Sequence, residues 1–127
     1  MPPSLEEAEG GRQVSQSSGD PLPDDALVVR GGQNNPDSVR KGFGTHPSGV
    51  TGISVNSAAG VSVEELAVGV PHGRVGVTTV GRVRALGGDV IRTSGRSPHH
   101  ATLTGLTPEQ ISGLLTPVVP NPAHGTG

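Results

Sequence analysis

One aromatic side chain, Phe43, stands in a chain of 127 residues that has no Trp, no Tyr and no Cys. A core must therefore come from aliphatic side chains. Val, Leu and Ile number 17, 9 and 3, and with Phe43 they make 30 residues, above the ~20 per cent below which a chain usually cannot bury enough to fold. Gly and Pro, 21 and 12 residues, push the other way. Together they are about a quarter of the chain, where low complexity begins. One part of the sequence is expected to fold and another is not.

The same gaps remove whole mechanisms. Without cysteine there are no disulfides, thiolate nucleophiles, iron–sulfur clusters or cysteine zinc sites. With one ring there is no platform on which single-stranded bases can stack. No apolar run approaches the ~20 residues of a membrane helix. The opening MPPSLEEAEGG is acidic and lacks an apolar centre, so it does not read as a secretory signal. A soluble cytoplasmic protein without a membrane partner is the expectation. Arg outnumbers Lys eight to one, with heavy use of Ala, Gly, Val and Pro, as in a GC-rich genome of the actinomycete kind.

The net charge of −2 conceals a split. Residues 1–25 carry six acids against Arg12, a net of −5, and residues 26–127 carry five acids against eight bases, a net of +3. An acidic tail ahead of a basic body follows. Residues 1–24 are polar and without periodicity, so they are expected to be disordered. Residues 118–127, rich in proline, read as a second extended tail. Between them, 25–117 is long enough to fold alone as a single domain.

Local signals place the elements of that body. Ala26–Val29 is a short apolar run closed by Arg30-Gly31-Gly32, a strand and a turn. Asn35 caps a short helix that begins at Pro36. Residues 43–49 read as a loop. Val50–Ser57 alternates apolar and small polar residues, the pattern of a half-buried strand. Ser62 and Glu65 have the spacing of a capping box, with a helix running to about Val68. Val75–Val77 is a strand or a lead-in. Val80, Val83 and Leu86 make a helical stripe stopped by Gly87-Gly88. Asp89–Thr93 and His100–Thr104 are strands. Thr107-Pro108-Glu109-Gln110 is a helix start with both a capping box and an N-terminal proline. Four short strands and four short helices in irregular order predict a small α+β domain.

Three groups of residues bear on chemistry. Arg74, Arg82, Arg84, Arg92 and Arg96 fall within 23 residues. Guanidinium groups pair two phosphate oxygens at once, which points to a nucleotide or nucleic-acid backbone. The competing reading is a solvated basic surface neutralised by the acidic tail, and +3 is weak for non-specific DNA binding. Five histidines follow no zinc spacing. His100-Ala101-Thr102-Leu103 fits the His-x-Thr-hydrophobic pattern of two-histidine phosphoesterases, but His46-Pro47-Ser48-Gly49 fails at its last position. As neighbours on a strand, His99 and His100 would point to opposite faces. No Gly-x-Ser-x-Gly supports a serine nucleophile, and no Gly-Lys-Ser/Thr supports a phosphate loop.

Two stretches together carry a family resemblance. Val28-Val29-Arg30-Gly31-Gly32, then Gly52-Ile53-Ser54-Val55-Asn56-Ser57 ahead of the helix at 62–68, resemble the opening of ADP-ribosyltransferase-fold proteins over about 40 residues. The chain also resembles a group of short actinobacterial proteins that begin with a Leu-Pro-Asp-Asp strand. The first resemblance implies a toxin-type or degenerate member, of the kind found in toxin–antitoxin pairs, that binds NAD or another phosphorylated ligand. It implies Arg30 and Gly31 at the NAD phosphate or ribose, and Ser54 or Ser57 as the stabilising hydroxyl. Its catalytic Glu-x-Glu is missing, which leaves Glu109 as the late carboxylate. A strand-end arginine paired with Asp24, Asp25 or Asp37 is the structural alternative for Arg30. The functional alternative is a non-enzymatic protein whose basic body binds an acidic protein or RNA.

Overall fold

A computed structural model describes residues 21–95 and 98–124. In chain order the elements are β1 (Leu27–Gly31), α1 (Pro36–Gly42), β2 (Gly44–Thr45), β3 (Thr51–Ala58), α2 (Val63–Leu66), β4 (Arg74–Thr79), α3 (Val80–Ala85), β5 (Asp89–Arg92), β6 (His100–Thr104), α4 (Pro108–Leu115), β7 (Val119–Pro120) and a 3-10 turn, Pro122–His124. The strands form one antiparallel sheet in the order β5-β6-β3-β1-β4-β7, with β2 paired to β3. This is an α+β domain, as the sequence predicts.

The helices start where the local chemistry dictates. Asn35 accepts from the Ser38 N–H and caps α1. Thr107 and Gln110 exchange both bonds of a capping box at α4. Thr79 caps α3 through the Arg82 N–H. Each side chain satisfies a donor that the first helical turn leaves open.

Strand alternation then divides the aliphatic residues between two sides of the sheet. On one side Val28, Ile53, Val55, Val90, Ala101 and Leu103 pack against Val39 of α1, Val80 and Val83 of α3, and Ile111 and Leu115 of α4. On the other, Val29, Ala58 and Val75 pack against Leu66 and Ala67, where α2 lies. The first side is roofed by three helices. The second is covered at one end only, and the uncovered end holds the polar groove described below.

Several expectations are corrected. Seven strands occur among the described residues, not four. β2 arises inside the expected loop, and of the two alternatives at Val75–Val77 the strand is found, as part of β4. The expected tail at 118–127 is ordered as far as the 3-10 turn: β7 pairs with β4, and Asn121 is buried. The Asn121 amide donates to the His72 carbonyl at 2.9 Å and accepts from the Ala123 N–H. Those bonds satisfy backbone groups that an extended tail would leave to water. At the other end Leu22 is in the core and Asp24 bonds Arg84, so the folded body begins before residue 25. The remainder of both expected tails lies outside the described residues.

Candidate functional site

Ser54 and Asn56 of β3 and His100 and Thr102 of β6 share the partly uncovered side of the sheet. The register sets Ser54 opposite Thr102 and Asn56 opposite His100. Two hollows adjoin there. One, of about 290 Å³, is bordered by Val29, Gly31 and His72, and the other, of about 780 Å³, by Glu65, Val68, Gly69, Pro98 and His99. Ser54, Asn56, Val70, Pro71 and His100 line both, so they form one groove with a polar floor and valine and proline walls. Its size suits a small organic ligand.

The side chains of the floor are held from behind. His100 Nδ1 lies 2.9 Å from Thr93 Oγ1, which lies 3.0 Å from Thr102 Oγ1 in the sheet. The Thr93 carbonyl, 3.4 Å from the same ring nitrogen, can only accept. A proton on Nδ1 satisfies both contacts, and Nε2 then carries the lone pair. Asn56 Nδ2 donates to the Leu66 carbonyl at 2.8 Å, which ties β3 to α2 and assigns Oδ1 to the other end of the amide. Glu65 caps its helix only by half. Its N–H donates to Ser62 Oγ, while its carboxylate turns to His99 Nε2 at 3.6 Å, pairing the two walls of the larger hollow. At the opposite end His72 lies over Gly31. A Cβ on Gly31 would stand 2.5 Å from Val70 Cγ1 and 2.6 Å from His72 Cδ2, so only glycine admits that wall.

The residues singled out from the sequence divide. Gly31 and Ser54 line the groove. The Arg30 side chain projects to the opposite side, with Val28 and Val55. Its Nη1 donates to Asn34 Oδ1 at 2.6 Å, and Nη2 stands 3.4 Å from the Ser38 carbonyl. Arg30 thus borders the groove through its backbone. Asn34 and Ser38 stand in place of the anticipated Asp24, Asp25 and Asp37, of which Asp24 bonds Arg84 and Asp37 bonds Arg40. Burial pushes the Arg30 guanidinium below its usual pKa. Asn34, wholly buried at φ 57°, returns bonds to the Arg30 and Gly32 carbonyls. Arg30 and Asn34 thereby lock the turn between β1 and α1. Ser57 faces the helical side with a buried hydroxyl that has no hydrogen-bond partner among the described residues. Glu109 is exposed at the start of α4, 2.8 Å from Arg40, beside a different hollow bordered by Arg82 and Leu86.

The arginine segment does not gather into one patch. Arg84 is bonded to Asp24 at 2.7 Å and to Asp89 at 3.0 Å, and those hydrogen bonds, Asp24 first, raise its pKa. Arg92 lies on edge strand β5 and Arg74 on β4, four strand spacings away, a distance of about 19 Å at ~4.8 Å per strand. Arg96 lies outside the described residues. Folding does bring His46 to His100, with ring centroids 5.8 Å apart. Both nitrogens of His46 are engaged, however, by Ser48 and by the Ser94 carbonyl. Neither is left for a phosphoester.

Asn56, Glu65, His72, His99 and His100 were missed as a set. Asn56 lies between the two serines of the stretch that carries the resemblance. Period-two alternation places 54 and 56 on one face and 55 and 57 on the other, and that is the signal that finds it. Glu65 was legible only as a cap. His99 precedes β6 instead of lying on it, so it borders the groove together with His100.

Among the described residues no group of three or more His, Asp or Glu is placed to hold a metal ion, and no helix is long and apolar enough to cross a membrane. No family model, curated protein or solved structure matches the chain.

Proposed function

We propose that this protein binds a small nucleotide-type ligand, NAD or another phosphorylated molecule, in the groove between β3, β6 and the 66–72 segment. The observation that carries the reading is the continuity of the two hollows across Ser54, Asn56 and His100. A nucleotide needs a long concave site with a few convergent polar groups and apolar walls, and these hollows offer both. The ligand class is the one the ADP-ribosyltransferase resemblance implies, but the residues differ. Ser54 and Gly31 stay in the site, the Arg30 guanidinium and Glu109 leave it, and Glu65 and His99 stand on the wall of the larger hollow.

The alternative of a basic surface for RNA or an acidic protein has less support, because Arg84 is neutralised and Arg74 and Arg92 lie at separate places on the sheet. Thermal-shift titration with NAD, ADP-ribose and AMP tests the proposal. Ligand at 100 times its dissociation constant stabilises the fold by about 2.7 kcal/mol. The shift is expected to vanish in Ser54→Tyr, which fills the floor, and to persist in Arg30→Met. No shift with any of the three at millimolar concentration would overturn it.

A further inference from the structure

The groove floor shows an asymmetry of hydrogen-bonding character. One of the two Asn56 Nδ2 hydrogens goes to the Leu66 carbonyl, and Oδ1 has no partner among the described residues. Directly opposite, His100 is tied at Nδ1 by Thr93, and with the proton on that nitrogen Nε2 is an acceptor. Side chains facing one another across antiparallel strands have Cβ atoms about 5 Å apart. With that proton placement, two acceptor-bearing side chains face one another across β3 and β6 at the junction of the two hollows, with the Glu65 carboxylate on the wall beyond. A group with two N–H donors on one nitrogen is the complement of such a pair. A carbonyl at the same place would face lone pairs and lose its water without compensation.

We propose that Asn56 and His100 read an exocyclic amine, so that the groove selects amino-bearing rings such as adenine over their oxo counterparts. This rests on the nucleotide reading above and specifies which end of the ligand lies at the junction. Valine and proline walls, Val70, Pro71 and Pro98, supply the flat apolar faces that a ring without an aromatic partner can use.

The test is calorimetric titration of the full chain with AMP and, separately, with IMP, which replaces the amine by an oxo group on the same scaffold. AMP is expected to bind at least about 10-fold more tightly, the discrimination that one buried mismatch of this kind produces. Asn56→Val removes the acceptor and is expected to bring the ratio to about one, with His100→Phe as a second variant should the loss of the Leu66 bond unfold the first. Equal affinity of the unaltered protein for both ligands, or preference for IMP, would overturn the amine-reading assignment while leaving the nucleotide groove intact. Binding of neither would overturn the amine-reading assignment, and the nucleotide groove falls with it if NAD and ADP-ribose also give no thermal shift.

Discussion

Arg30→Met separates a structural arginine from a ligand-binding one. Methionine keeps the unbranched stem against its neighbours and removes the guanidinium. The bond from Nη1 to Asn34 Oδ1, 2.6 Å long, is then lost. A hydrogen bond from a charged donor is worth about 1.5–3 kcal/mol. The contact to the Ser38 carbonyl, at 3.4 Å, adds little. Asn34 is fully buried, so its carbonyl oxygen cannot recruit water in exchange. Relief of guanidinium desolvation, the cause of its lowered pKa, offsets part of the loss. The net is a destabilisation of about 2 kcal/mol, and at 4–8 °C per kcal/mol for a domain near this size Tm falls by about 8–16 °C. The sign with pH follows from the same group. Burial disfavours the charged form, so the penalty holds at every pH below the folded pKa and is relieved only above it. That lies beyond the accessible range, and the Tm difference between the two proteins should be flat between about pH 5 and pH 9. Thermal melts by circular dichroism measure Tm, and calorimetry measures AMP affinity, which should stay within about twofold because the guanidinium lies behind the sheet. An unchanged Tm with affinity reduced about 10-fold or more would refute the reasoning and restore Arg30 to the ligand.

Three further outcomes follow from the packing. Thr107→Ala removes one half of the α4 capping box and should cost about 1 kcal/mol in urea denaturation, with Ser replacing Thr at little cost. Ser57→Ala deletes a buried hydroxyl that has no partner among the described residues. Urea titration should show stability unchanged or raised by up to about 1 kcal/mol, where a hidden hydrogen bond would show a loss. Gly31→Ala forces Val70 and His72 outward, since their side-chain atoms stand 2.5 and 2.6 Å from the new Cβ. Calorimetry should find AMP weakened about 10-fold with the far secondary structure intact, and undiminished binding would remove that wall from the site.

The parts of the protein readable in advance are those governed by neighbours in sequence. Asn35, Ser62 and Thr107 sit at helix starts because a side-chain oxygen can reach a backbone N–H only two or three residues on, and each cap is found. The apolar/polar alternation of β3 likewise needs no partner to be recognised. The short strands β2 and β7 carry no such signal, since two residues are extended only because another strand lies beside them.

The site falls between these cases. Parity along β3 already separates Ser54 and Asn56 from Val55 and Ser57, and along β1 it separates Arg30 from Gly31. Which parity faces a groove and which faces helices depends on where α1, α3 and α4 pack, a matter of aliphatic surface gathered from the whole chain. A capping carboxylate, Glu65, became part of a wall only when the loop before β6 brought His99 to within 3.6 Å. Local hydrogen-bonding chemistry was thus set by the order of residues alone, because it acts over one turn or one pleat. The convergence of β1, β3 and β6 side chains on one hollow was decided by tertiary structure, because only the burial of distant aliphatic groups chooses which side of a sheet is closed.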